Sequence, residues 1–195
     1  ESIDRFGTNL TQRFRLKGRS YVETKSLWEY FADASEDNIQ ERSVSLKVNI
    51  DRKDDPLFTK KGLLFSGVIK SAGFGGSRAY SKIDLTFNTY YPLTKRSVFA
   101  MRIQFGKLWG WDNKYDDYSF EKFYLGGSTS MRGWEVLRFS EDENNEPNGE
   151  TIRLMTNIEI RQKIYKSFGM TIFSDGGLLA EVFPKEFYSE LIWDS

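Results

Sequence analysis

From residue 43 to residue 51 the chain alternates without a break. Ser43, Ser45, Lys47, Asn49 and Asp51 are polar, and Val44, Leu46, Val48 and Ile50 between them are apolar. A period of two belongs to an extended strand, whose successive side chains point to opposite faces, and it argues against a helix over the same residues. The pattern returns three times. Lys82, Asp84, Thr86, Asn88 and Tyr90 alternate with Ile83, Leu85, Phe87 and Thr89. Phe99, Met101, Ile103 and Phe105 alternate with Ala100, Arg102, Gln104 and Gly106, and Arg153, Met155, Asn157, Glu159 and Arg161 alternate with Ile152, Leu154, Thr156, Ile158 and Ile160. Shorter versions occupy residues 9–18, 63–71 and 170–177, the last with Thr171, Phe173 and Asp175 on one side. Residues 20–33 run into LWEYFADA at 27–34, which would also pass for a short helix; Trp28, Tyr30 and Phe31 favour a strand at an interface. The expected class is all-β, hairpin after hairpin, with no solenoid or propeller repeat.

The connections divide into two kinds. Residues 92–96 are a tight turn, the GFGG run at 73–76 turns the chain, and residues 51–57 break a strand, with Pro56 holding Asp55 extended. The polar run at 34–42 reads as a loop. Residues 109–149, by contrast, form one loop of about forty residues, which counts against a compact soluble domain. Short turns set against a very long loop fit a transmembrane β-barrel, with the turns facing the periplasm and the loop facing outward.

Composition agrees. Aromatic residues make up 16% and charged residues 29% of the 195 positions, which suits a wall with one lipid face, one wet face and aromatic girdles between them. The polar faces carry Asp84, Arg102, Arg153, Glu159, Arg161 and Asp175, and charge on a wet lumen costs little. Basic and acidic residues balance at 28 each, which argues against a general nucleic-acid binder. Cysteine and histidine are absent, so these residues supply no disulfide, no histidine-based triad and no ordinary zinc site. No apolar run is long enough for a membrane-spanning helix, which says nothing against a barrel. The chain starts without methionine and ends on the apolar run ELIW, and is expected to be a segment of something longer.

Within the long loop lies FYLGGSTSMRGW, residues 123–134. Gly126, Gly127 and Gly133 open backbone angles closed to other residues, and Phe123, Tyr124, Leu125, Met131 and Trp134 give the loop apolar surface with which to pack. Taken alone, the segment could be a glycine-rich hairpin loop with a solvated arginine. Its order relative to two further motifs changes that reading.

LGGSTSMRGW, followed by NIEIR at 157–161 and FSDGG at 173–177, resembles the motif series of the BamA/TamA-like outer-membrane assembly family, also called bacterial surface antigens. DRKDDPLFTKKG at 51–62 is similar to the family's upstream element, with Phe58 where a proline is usual; Met131 stands where the family has valine, isoleucine or leucine. The resemblance covers about residues 43–177. It implies a barrel of sixteen strands, of which this chain supplies the middle and later part, lacking strands at both ends. It implies further that the loop folds back into the lumen, where Arg132, Gly133 and Trp134 form its tip and Arg132 meets Asp175 and Glu159. The alternation independently puts both carboxylates on polar faces of neighbouring strands, within reach of a bidentate guanidinium.

The function so implied is that of an outer-membrane protein assembly or translocation factor in a Gram-negative bacterium. It would insert β-barrel proteins, or move secreted ones, by thinning the nearby bilayer and opening a strand seam, without nucleotide, metal or other cofactor. Implied partners are outer-membrane lipids, unfolded outer-membrane or secreted clients, and periplasmic chaperones or assembly lipoproteins; nucleic acid is not among them. The alternative is a barrel serving as anchor or exit for a fused surface hydrolase, such as a patatin-like lipase. No GxSxG nucleophile motif occurs in this chain, so any such enzyme chemistry would lie elsewhere. A passive porin-like wall would leave the arginine motif without a purpose.

Overall fold

The computed structural model describes residues 4–32, 39–76, 78–111, 119–165, 168–184 and 191–194, and in it the alternating runs are strands of one antiparallel sheet. The strands are β1 (Asp4–Arg15), β2 (Tyr21–Ala32), β3 (Ile39–Asp51), β4 (Gly62–Ala72), β5 (Tyr80–Pro92), β6 (Ser97–Gly110), β7 (Ile152–Tyr165), β8 (Phe168–Ala180) and β9 (Ile192–Asp194). They lie in the sheet in chain order, each paired only with its sequence neighbours.

Register decides what each face can do, since a slip of one residue would exchange the faces. Asn88 pairs with Arg102, Arg102 with Asn157, and Asn157 with Asp175. One row below, Tyr90, Ala100, Glu159 and Phe173 are paired in turn. The polar halves of all four strong alternations therefore fall on one continuous face. The opposite face is apolar and open: Leu10, Phe14, Ile69, Ile160 and Ile172 are all exposed, the last at 62%. A surface of that extent is stable only against an apolar solvent, which the hydrocarbon of a bilayer supplies.

Two expectations need correction. Residues 39–42, read as loop, begin β3, where Ile39 pairs with Phe31 and Arg42 with Trp28. Their polarity misled because the wet face accepts glutamate and serine as readily as a turn does: Glu41 and Ser43 are both buried on it. Trp109 and Gly110, assigned to the long loop, belong to β6, so that the connection to β7 spans 111–151. Residues 20–33 resolve as strand through 32. Residues 33–38, and the acidic part of the long loop at 112–118, lie outside the described residues.

The long connection does not project away. A 3-10 turn at Ser119–Glu121 leads it onto the polar face, and Phe123 and Glu150 pair backbone to backbone in both directions, at 2.8 and 2.9 Å. The core follows from this path. Phe123 packs with Ala72, Tyr80 and Leu108, and Leu125, Met131 and Phe139 pack with Met155. Ala72, Leu108 and Met155 are buried apolar residues on the polar face, and they mark where the loop lies.

Candidate functional site

The loop tip is shaped by two glycines. Gly126 has φ +115° and Gly127 has φ +91°, conformations that L side chains rarely adopt, and a Cβ on Gly126 would overlap the Glu135 carbonyl. They turn the chain so that Gly127 N–H donates to the Trp134 carbonyl at 2.9 Å and Ser130 N–H to the Gly127 carbonyl at 3.0 Å. This compact turn pushes Met131, fully buried, against the wall, where Gly177 leaves space for its sulfur. Arg132 is thereby fixed over β7 and β8.

Its guanidinium is gripped on three sides. Nε donates to Asp175 Oδ2 at 2.8 Å and Nη2 to Asp175 Oδ1 at 2.6 Å, a bidentate pair, and Nη1 donates to Glu159 Oε1 at 2.8 Å. The Arg132 backbone N–H adds a bond to Asp175 Oδ2 at 3.1 Å, and Asn157 Nδ2 donates to Oδ1 at 2.7 Å. Asp175, fully buried, thus accepts four hydrogen bonds. The flat face of the guanidinium lies 3.7 Å from the centre of the Phe173 ring, a stacked cation–π contact that lysine's tetrahedral ammonium would reproduce poorly. Donating its hydrogen bonds to the Asp175 carboxylate raises the Arg132 pKa further above its ordinary value.

Wall side chains also hold the tip by its backbone. Asn157 Nδ2 donates to the Ser130 carbonyl at 2.8 Å, and Arg102 Nη1 to the Thr129 carbonyl at 2.9 Å. The Ser130 hydroxyl lies 3.3 Å from Met155 Sδ. Arg161 donates to the other Glu159 oxygen at 2.7 Å, so that Glu159 joins two arginines. The two remaining motif residues lie apart from this cluster. Gly133 sits against the Asp194 carboxylate of β9 with no room for a Cβ, and Trp134 packs on Phe139 with ring centres 5.0 Å apart.

A second anchor lies at the base of the loop, and the sequence reading missed it. Glu121 accepts from Lys70 Nζ of β4 and Lys82 Nζ of β5, each at 2.8 Å, while Lys82 also donates to the Glu121 carbonyl at 2.7 Å. Tyr80 Oη donates to Glu121 at 3.1 Å, and Lys70 reaches Glu41 of β3 at 2.7 Å. The detectable signal was in the register: Lys70 and Lys82 face each other directly across β4 and β5. Two like charges in that position repel unless an anion lies between them.

Burial alone would raise the Glu121 carboxyl pKa, but the hydrogen bonds from Lys70 and Lys82 outweigh it and bring the value from 4.5 down to about 2. A folded-state pKa below the unfolded one gives stability that is complete above the unfolded value and lost as pH falls through the folded one. The base anchor should therefore hold the loop from neutral pH to about pH 4 and release it towards pH 2. Limited proteolysis across that range tests this; in Glu121→Gln, cleavage in the loop should be elevated at neutral pH and should vary less with acidification. An unchanged profile in Glu121→Gln would show that the anchor does not hold the loop.

Comparison with known proteins follows the same outline. Residues 5–188 match the Omp85 superfamily domain. The sorting and assembly machinery component 50 homolog of Mus musculus is 32% identical over 95 residues, covering 48% of this chain and 20% of that protein. The crystal structure of BamA from Haemophilus ducreyi lacking POTRA domains 1–3 superposes with a TM-score of 0.71 at 15% identity, over 90% of this chain and 41% of that one. The latter likeness concerns the fold. The chain spans well under half the length of either relative.

Proposed function

The chain belongs to the Omp85 superfamily, and from that premise we propose that its strands form part of the outer-membrane barrel of a factor that assembles β-barrel proteins or moves proteins across that membrane. The observation that carries the reading is Arg132: a loop tip from outside the strands is clamped to the inner wall by Asp175 and Glu159. In this reading the connection at 111–151 is an extracellular loop stored in the lumen. A passive wall gains little from placing five charged or amide groups around one arginine. A barrel that must deform and keep its lumen organised does gain, because a desolvated pair fixes position more than it adds net stability.

The work is mechanical. The apolar outer face sets the local bilayer, the wet inner face gives polar client segments a surface, and the docked loop braces β6, β7 and β8 against one another. Clients are unfolded outer-membrane or secreted chains, with periplasmic chaperones or assembly lipoproteins as helpers. Nothing in this account needs a cofactor.

The docked loop can be tested in intact membranes, because the chain has no cysteine of its own. Ser130→Cys with Met155→Cys should give a high-yield link through a short bis-thiosulfonate reagent, which forms a disulfide with each thiol and releases sulfinate, since these side chains touch and neither belongs to the arginine clamp. The functional arm asks whether cells depleted of the native copy, and supplied with the linked full-length protein, still accumulate folded barrels in the outer membrane. Absence of the crosslink removes the stored loop. Normal crosslinking with unchanged barrel content in the Arg132 variants discussed below removes the assembly function.

A further inference from the structure

At the short-turn end of the sheet, four cations from three neighbouring hairpins line one groove of about 370 Å³: Lys60 before β4, Lys95 and Arg96 between β5 and β6, and Lys163 in the last turn-side residues of β7. Among the described residues no carboxylate pairs with any of these side chains. The nearest acidic residues in sequence are otherwise engaged: Asp54 accepts backbone N–H groups from Asp55, Lys60 and Lys61, and Asp55 accepts those of Leu57 and Phe58. The backbone that presents the cations is fixed. The Thr94 hydroxyl accepts from the N–H groups of Arg96 and Ser97, and Lys163 N–H donates to the Arg96 carbonyl at 2.8 Å.

The groove adjoins the membrane-facing surface. Ile164 is one of its lining residues, and the lipid-side positions nearest this end are Tyr91 at 64%, Ile164 at 55% and Phe168 at 75% exposure. Apolar and aromatic side chains in this position mark the boundary between hydrocarbon and headgroups. Cations just beyond it stand at the level of lipid phosphates, and short barrel turns face the periplasm, where the adjoining leaflet is phospholipid.

We propose that Lys60, Lys95, Arg96 and Lys163 form a binding site for the headgroup of an anionic phospholipid in the periplasmic leaflet. The phosphodiester sits among the cations and the acyl chains descend along Ile164 and Phe168. An acidic protein would need an extended, wettable contact surface, whereas this groove borders lipid on one side. The site rests on the barrel's membrane orientation and is independent of the proposed assembly function.

The test is native mass spectrometry of the full-length protein released from vesicles containing equal amounts of phosphatidylglycerol and phosphatidylcholine. The expected result is preferential retention of phosphatidylglycerol. Each charge at an anionic headgroup is worth roughly a factor of five, so Lys95→Gln in the β5–β6 turn and Lys163→Gln in β7 should each lower that preference about fivefold, and the double variant more. Unheated gel mobility verifies that each variant is a folded barrel, and the two single variants keep the test decisive if the double does not fold. Equal retention of the two lipids by the unaltered protein overturns the site, as does an undiminished preference in both folded single variants. Displacement of the retained lipid by millimolar inorganic phosphate at constant ionic strength would also overturn it, showing a free-anion site in place of a headgroup site.

Discussion

Arg132→Ala is expected to detach the loop tip from the wall and to lower the folded-barrel content of the outer membrane more than any other single exchange in the loop. The substitution strands Asp175, which is completely buried and loses three of its four hydrogen-bond contacts at once if the tip leaves. Removing one partner of a buried ion pair costs about 3–5 kcal/mol when the other must stay buried. Arg132 retains 22% side-chain exposure, so water can enter as the tip departs, and the lower end of that range is the better expectation. The effect should appear as protease cleavage within 123–150, while β1 to β8 keep their folded gel mobility.

Two further variants separate the clamp from simple charge. Arg132→Lys keeps the cation but cannot make the fork with Asp175 while also reaching Glu159 and stacking on Phe173, so it should recover less than half of the lost function. Asp175→Ala combined with Arg132→Ala should be little worse than Arg132→Ala alone, since the isolated carboxylate is then gone; this coupling is what a double-mutant cycle measures. Additive losses would mean that the two residues act separately. Full function in Arg132→Lys would reduce the motif to a lumen charge.

The sequence revealed most where the chemistry was local. Period-two alternation fixed the faces of β3, β5, β6 and β7, because one side is turned to the wet interior and the loop that lies on it, and the other to lipid. The polar sides of Asn157, Glu159 and Asp175 followed from it. That Arg132 would meet Asp175 and Glu159 came from resemblance, since nothing in the spacing of residues 132, 159 and 175 reports where a long loop returns. Residues 39–42 were lost for the complementary reason: on a wet lumen a strand and a loop accept the same polar residues, so composition cannot separate them. The base anchor stayed hidden because Glu121 is one of several acidic residues in the loop. Only the register of Lys70 on Lys82 distinguishes it. Ala72, Leu108 and Met155 were similarly visible as apolar residues on the polar face, but they became meaningful only as the floor beneath Phe123, Leu125 and Met131.

Gly106→Val should evict Phe123 and loosen the whole base of the loop, although valine is the better strand residue. Gly106 is paired between Asp84 and Arg153 on the inner face, and its missing side chain is the space that the Phe123 ring fills: a Cβ there would clash with the ring at Phe123 Cζ. Phe123 is 3% exposed, and Lys82 and Arg153 lie 4.5 and 4.8 Å from its ring centre. Strand propensity favours valine over glycine by up to about 1 kcal/mol, whereas overpacking costs about 1–3 kcal/mol and displacing the ring forfeits its buried area as well. The second effect should win. Because Arg153 also donates to Asp84 at 2.7 Å, the displaced ring cannot simply slide along the row. Faster cleavage near Phe123 with an intact Ser130 to Met155 crosslink would mean that base and tip dock independently; loss of both would mean that Phe123 sets the path by which Arg132 reaches Asp175. A Gly106→Val barrel with an unaltered loop would show that the ring has another place to go, and that the gap in β6 is not what holds it.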